Sequence, residues 1–235
     1  EFFSRAIKHM VKVHKANICP DLDFSAAKTA EARERIRELT ADEQERLFEF
    51  LRTDLHPATK FALMTGARLG TIRNLRHRDL DFNAGRIRFS MKGSHDRTGD
   101  KELSFPMNNE IRALLSSLPR SNIIEHREFV FTFLNQKTGE RCRLTEAGGI
   151  WQCFRDAVKA ADIHDFRFHD LRHTFGTRML RNTQNLKLVS RLMGHSEVET
   201  TSRYAHVLDS DLADAMANYS AFPITHSRSK SRNQK

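Results

Sequence analysis

The stretch Phe166-Arg-Phe-His-Asp-Leu-Arg-His-Thr-Phe-Gly176 places His169 and Arg172 three residues apart, so on a helix they share one face. A histidine beside a fixed cation suits proton transfer next to an anion; two ordinary surface residues of a basic helix are the alternative. In Leu192-Met-Gly-His-Ser-Glu-Val-Glu-Thr-Thr-Ser-Arg-Tyr204, Gly194 ends one helix, His195 leads into the next, and Tyr204 follows nine residues after His195. A tyrosine there can act on a substrate or pack in the core. In Met64-Thr-Gly-Ala-Arg68-Leu-Gly70, two glycines flank Arg68 at a helix junction, which lets backbone approach a ligand closely. No Gly-Lys-Ser/Thr follows, so this is not a nucleotide-binding P-loop; a helix cap with a solvated arginine is the alternative. Lys92-Gly93 sits where a strand runs into a loop, and a lysine there can reach outward.

His169 and His173 also stand at i and i+4, the ligand spacing of zinc hydrolases. Those enzymes carry a glutamate where Asp170 stands, Arg172 would bring positive charge near a cation, and no third ligand follows at a recognised spacing. No metal or other cofactor is expected. Cys19, Cys142 and Cys153 form neither a CxxC pattern nor a disulfide framework, which suits a reducing intracellular compartment.

The elements that must position these residues can be read from pattern. Residues 1–39 are expected to be the remnant of an N-terminal domain plus a linker, in a chain that does not open with methionine. Thr40-Ala-Asp-Glu43 fits a capping box, followed by Leu47, Phe48 and Leu51 at helical spacing. Pro57 opens a second helix that ends near Gly66, and a short third helix carries Leu69, Ile72 and Leu75. Period two then appears: Ile87 and Phe89 alternate with Arg86, Arg88 and Ser90, and Leu103 and Phe105 follow the polar loop 92–101, which predicts two strands. A helix is predicted over 108–118, a strand or buried turn over 129–133, and helices over 145–161, 170–181, 185–193, 197–205 and 208–218. The fold class is therefore mainly α with a small antiparallel β-sheet (α+β). One domain is expected over 40–220, and a basic, disordered tail over 221–235.

Composition narrows the partner. The 39 Lys and Arg exceed the 30 Asp and Glu by nine, the hydrophobic fraction is 39%, and no apolar run approaches the roughly 20 residues that span a bilayer. Nucleic acid is the partner class that this charge favours. Residues 66–101 alone hold nine Lys/Arg against four Asp/Glu, a density that can line a duplex.

The order of these signals resembles the tyrosine recombinase (phage integrase) family: Arg in a Thr-Gly-x-Arg turn, Lys in a β-hairpin loop, His-x-x-Arg, Gly-His, then Tyr. The resemblance runs from about residue 40 to 218. It implies that Arg68 and Arg172 are catalytic arginines, Lys92 the hairpin lysine, His169 and His195 the catalytic histidines, and Tyr204 the nucleophile. One position departs: the family often has an acid three residues after the first arginine, and here it is Thr71.

The implied chemistry needs these residue types. A tyrosine oxygen attacks phosphorus, displaces a 5′-hydroxyl and leaves a 3′-phosphotyrosine that a second strand can reverse, without ATP. The transition state gathers negative charge that two planar, permanently charged guanidinium groups can hold, with His195 as a further donor. A phenol of pKa about 10 is roughly 0.1% ionised at pH 7, a deficit of about 4 kcal/mol, which nearby cations and His169 as base reduce. Lys92 is the candidate acid for the departing 5′-oxygen.

The expected function is site-specific integration or excision of a phage or mobile element. A Xer-like chromosome dimer resolvase is the alternative, and a non-catalytic DNA-binding module is the rival of another class. A type IB topoisomerase shares the chemistry but differs in layout and size. Expected partners are double-stranded DNA at recombination sites, three further copies in a tetramer, and accessory DNA-bending proteins. The expected location is the cytoplasm, at the nucleoid. Helix 208–218, with Leu208, Leu212, Ala215 and Met216 on one stripe, is the element to be exchanged between copies, or else it packs on its own core.

Overall fold

A computed structural model describes residues 36–91, 101–145 and 150–194, together with His9 and Val13. Contacts divide the chain into two units, Glu1–Arg35 and Ile36–Lys235. In the first, His9 and Val13 are helical. The predicted helices 197–205 and 208–218 and the basic tail lie outside the described residues.

Near the start of the second unit, Leu39 is fully buried and its N–H donates to Thr174 Oγ1 at 2.9 Å. Helix α1 (Ala41–Phe50) begins with the predicted capping box. Thr40 Oγ1 accepts from the Glu43 N–H at 3.2 Å, and Glu43 Oε2 accepts from the Thr40 N–H at 3.0 Å. Two of the helix's orphan donors are thereby satisfied locally. Helix α2 (His56–Thr65) carries Pro57 in its first turn, where a missing N–H costs nothing, and stops at Gly66 in the left-handed region, φ 63°. Helix α3 (Leu69–Asn74) follows, with Arg68 at its N-cap.

Strands β1 (Leu80–Asp81), β2 (Arg86–Met91) and β3 (Lys101–Pro106) form an antiparallel sheet in the order β1-β2-β3. In register, Ile87 pairs with Phe105 and Phe89 with Leu103. Ile87, Phe89 and Phe105 are buried while Arg86, Arg88 and Ser104 are exposed, the alternation a one-sided sheet demands. Helix α4 (Asn109–Ser116) is capped by Asn108, whose Oδ1 accepts from the Ile111 N–H at 2.8 Å. A second sheet pairs β4 (Thr132–Leu134) with β5 (Arg141–Arg143). Helices α5 (Ile150–Ala160), α6 (Asp170–Thr183) and α7 (Leu186–Met193) complete the described elements. The fold is α+β as expected, with small antiparallel sheets. Strands β1 and β5 are additions: two residues and an Arg-Cys-Arg run are too short and too polar to show a period.

A run of phenylalanines joins the sheet to the helices. Phe131 meets Phe61 with ring centroids 4.9 Å apart, Phe61 meets Phe89 edge-on at 6.1 Å, and Phe89 meets Phe105 at 5.6 Å. Phe105 meets Phe175 of α6 at 6.5 Å. Each such pair contributes about 0.5–1.5 kcal/mol beyond the area it buries, so β2, β3, α2 and α6 are held to one another from inside the core. Among the described residues, no helix is long and apolar enough to cross a membrane.

Candidate active site

The site is built where α6 passes under the end of α2. Gly66 makes that approach possible. A Cβ on Gly66 would lie 2.5 Å from Phe175 Cδ1, and the left-handed φ already disfavours any other residue. With the helices this close, Arg172 of α6 reaches the turn: its Nη1 donates to the Gly66 carbonyl at 2.6 Å. Its Nη2 donates to the Met193 carbonyl at the end of α7, also at 2.6 Å. Both acceptors belong to helix C-termini, where carbonyls lack intrahelical partners and carry partial negative charge. A single guanidinium, 5% exposed, thus ties together the ends of two helices.

Arg68 arrives from the other side of the same turn. Thr65 Oγ1 donates to the Phe61 carbonyl at 2.7 Å and accepts from the Ala67 N–H at 3.2 Å, which shapes the chain just before Arg68. The Arg68 side chain remains open to solvent, and among the described residues no hydrogen bond or ion pair occupies it. The protein around it still removes enough water to push its pKa below the usual arginine value. Arg68 and Arg172 line one small cleft together with Thr71, Phe89, Leu103 and Met193. Thr71, the position flagged as lacking an acid, therefore contributes no negative charge to a cleft that holds two arginines.

His169 is placed differently from its sequence partner. It is the N-cap of α6 and exposed, while Arg172 points into the protein. The spacing of three suggested one shared face; the structure instead sets the His169 ring edge-on to the buried His173 ring, centroids 5.1 Å apart. His169 is not among the residues lining the arginine cleft. The start of α6 is fixed by Asp170, whose buried carboxylate accepts from the Arg167 N–H at 2.7 Å. Among the described residues, no group of three potential metal ligands comes together. Lys92, His195 and Tyr204 lie outside the described residues. Sequence reading missed the two carbonyl acceptors; the signal that finds them is the glycine that ends each helix in the left-handed region, where the carbonyl of Gly66 itself and that of Met193, just before Gly194, accept from the Arg172 side chain.

The sequence model of the phage integrase family matches residues 37–211, most of the chain. The chain belongs to the phage integrase family. Within the family, the tyrosine recombinase XerC of Staphylococcus carnosus (strain TM300) is 29% identical over 188 residues, which cover 75% of this chain and 59% of that relative. The chain thus spans less than two thirds of that curated relative. The solved catalytic domain of bacteriophage HP1 integrase shares 26% identity, with a TM-score of 0.53, over 78% of this chain and 95% of that domain. The Tn1549 transposon integrase, solved in complex with transposon right end DNA, has the same fold at 22% identity and a TM-score of 0.60, over 89% of this chain and 76% of that one. In this integrase-family chain, the arginine pair and the glycine turn that admits it share one cleft, and His169 stands outside it at the N-cap of α6.

Proposed function

We propose that the chain is the catalytic part of a site-specific DNA recombinase that cuts and rejoins strands through a 3′-phosphotyrosine. The observation that carries this reading is the meeting of Arg68 and Arg172 in one cleft, with Arg172 locked by two carbonyls and Arg68 left with its donors free. Such a pair is preorganised for the oxygens of a phosphodiester in transit to its transition state. Family membership and the near-complete overlap with a domain solved as an integrase catalytic domain support it.

In this reading the Tyr204 oxygen attacks phosphorus as the P–O5′ bond breaks. His169 takes the phenolic proton, Lys92 gives a proton to the departing 5′-oxygen, and His195 donates to a non-bridging oxygen. Attack by another strand's 5′-hydroxyl reverses the step and releases Tyr204. The balance closes without metal or nucleotide. Double-stranded DNA is the substrate, and a tetramer exchanging helix 208–218 is the working assembly, assisted by accessory DNA-bending proteins, in the cytoplasm at the nucleoid. Residues 1–39 are the remnant of an N-terminal core-binding domain plus the linker that leads into the catalytic part, and 221–235 form a basic tail.

The biological role is integration or excision of a mobile element; the XerC relative favours chromosome dimer resolution as the second reading. A nicked duplex that traps covalent intermediates tests the chemistry. Wild type and Tyr219→Phe form the adduct, and Tyr204→Phe does not, while still binding DNA. Adduct formation by Tyr204→Phe sinks the assignment. Sequencing the DNA trapped on Tyr204 in cells separates the two roles.

A further inference from the structure

The alternation that buries Ile87 and Phe89 turns Arg86 and Arg88 to the opposite face of the sheet. There, Arg78, Arg86 and Arg88 line an open groove of about 730 Å³ with Phe82, Asn83 and Ser104. All three arginines are exposed, and among the described residues none has a carboxylate partner. The Arg88 Nη2 donates to the Arg78 carbonyl at 2.8 Å, which holds the two side by side. Asp81 also lines the groove, but its Oδ1 is engaged as a turn cap, accepting from the Ala84 N–H at 2.8 Å. Glu102 stands further along the face, opposite Ser90.

Exposed arginines normally find acids or spread apart, because like charges on neighbouring positions repel. Arg86 and Arg88 are two residues apart on one face, about 6.6–6.8 Å along the strand. A row of guanidinium groups without carboxylate partners at that spacing matches successive charges of a nucleic-acid backbone, which they can grip. Phe89 and Leu103 of the same sheet line the Arg68–Arg172 cleft from its inner face. The arginine row and the cleft are therefore back to back across one sheet.

We propose that the outer face of the β1-β2-β3 sheet, through Arg78, Arg86 and Arg88, binds the phosphodiester backbone of a stretch of duplex DNA other than the one being cut. The contact is to phosphates, and it adds affinity without reading sequence. This rests on the recombinase reading, in which DNA extends beyond the cleaved bonds.

The test is the salt dependence of binding by the full 235-residue chain. Each neutralised phosphate steepens the log–log salt slope by about 0.9, so removing two contacts flattens it by about 1.8. The Arg86→Gln/Arg88→Gln pair is expected to flatten the slope by that amount on a long duplex, to leave it unchanged on a short duplex confined to the cleavage site, and to keep the Tyr204 adduct on a short nicked duplex. Arg86→Lys/Arg88→Lys keeps the wild-type slope on both. An unchanged slope on the long duplex overturns the proposal, and so does equal flattening on both duplexes, which would place these arginines on the cleaved segment. If the Gln pair melts early, Arg86→Thr/Arg88→Thr, with better strand formers, is read by the same criteria. Failure of the wild type to form any adduct would instead overturn the recombinase reading, so the two failures are distinct.

Discussion

Arg172 and Gly66, 106 positions apart in sequence, are joined by a 2.6 Å hydrogen bond from guanidinium to carbonyl. The bond exists because Gly66 has no Cβ, which lets the Phe175 ring settle against its backbone. Packing between α2 and α6 and the position of a cationic side chain in the cleft are therefore one structural fact, and perturbing the glycine disturbs both.

Gly66→Ala combines a left-handed backbone costing about 1–2 kcal/mol with overpacking of about 1–3 kcal/mol, a total loss of about 2–5 kcal/mol. Urea denaturation reads the loss. Phe175→Leu in the same chain relieves the crowding, so the double variant is more stable than the sum of the single effects. Strict additivity would mean that the ring and the glycine are not coupled.

The two arginines separate by their effect on stability. Arg172→Met strips a donor from each of two buried carbonyls, at about 1–3 kcal/mol apiece. Arg68→Met removes a cation whose pKa burial has lowered, so the folded state disfavours its charge, and stability is unchanged or rises. Both variants lose covalent adduct formation. Equal destabilisation by the two would contradict the anchored and open roles drawn from the structure.

His77 gives a pH signature. Burial, and secondly Arg120, hold its pKa below the usual histidine value, and its Nε2 is buried without a hydrogen-bond partner. The sign follows from linkage. A folded-state pKa below the unfolded one means that the unfolded chain binds the proton more readily as pH falls. The associated stability is complete above about pH 6.5, the ordinary histidine value, and is lost as pH falls through the depressed folded value. His77→Phe, which cannot protonate, should flatten the decline in urea midpoint between neutral and mildly acidic pH. Parallel declines in the two proteins would remove His77 as the cause.

Glu43 acts in a lower window. The hydrogen bond from Arg37 is the largest cause that holds its carboxyl below the usual glutamate range, with the Thr40 contacts of the capping box adding to it. Its stabilisation is present above the unfolded value, about pH 4.3, and disappears as pH falls through the folded one. Glu43→Gln keeps the reciprocal cap but not the charge, so it should lie below wild type in thermal midpoint at pH 7 and converge with it in acid. Thr40→Ala, by contrast, costs about 0.5–2 kcal/mol at every pH.

What the sequence by itself determined were the features that act within a few residues. The Thr40–Glu43 box, Pro57 at a helix start, Gly66 and Gly194 at helix stops, and the alternation around Ile87 and Phe89 are each local, so their signals survive without knowledge of the rest of the chain. The charge balance and the order of Arg68, His169 and Arg172 were also legible, and they pointed to the family that the chain belongs to. Only the tertiary structure decided that Arg172 turns inward while His169 stays at the surface, since a helical spacing of three says that two side chains are neighbours but not which one the core takes. It also decided that Arg68 shares a cleft with Arg172, and that Arg86 and Arg88 form a row without carboxylate partners on the far side of the same sheet. Those outcomes depend on which elements pack against which, and packing is set by the whole core, here by the phenylalanine run from Phe131 to Phe175, rather than by any window of sequence.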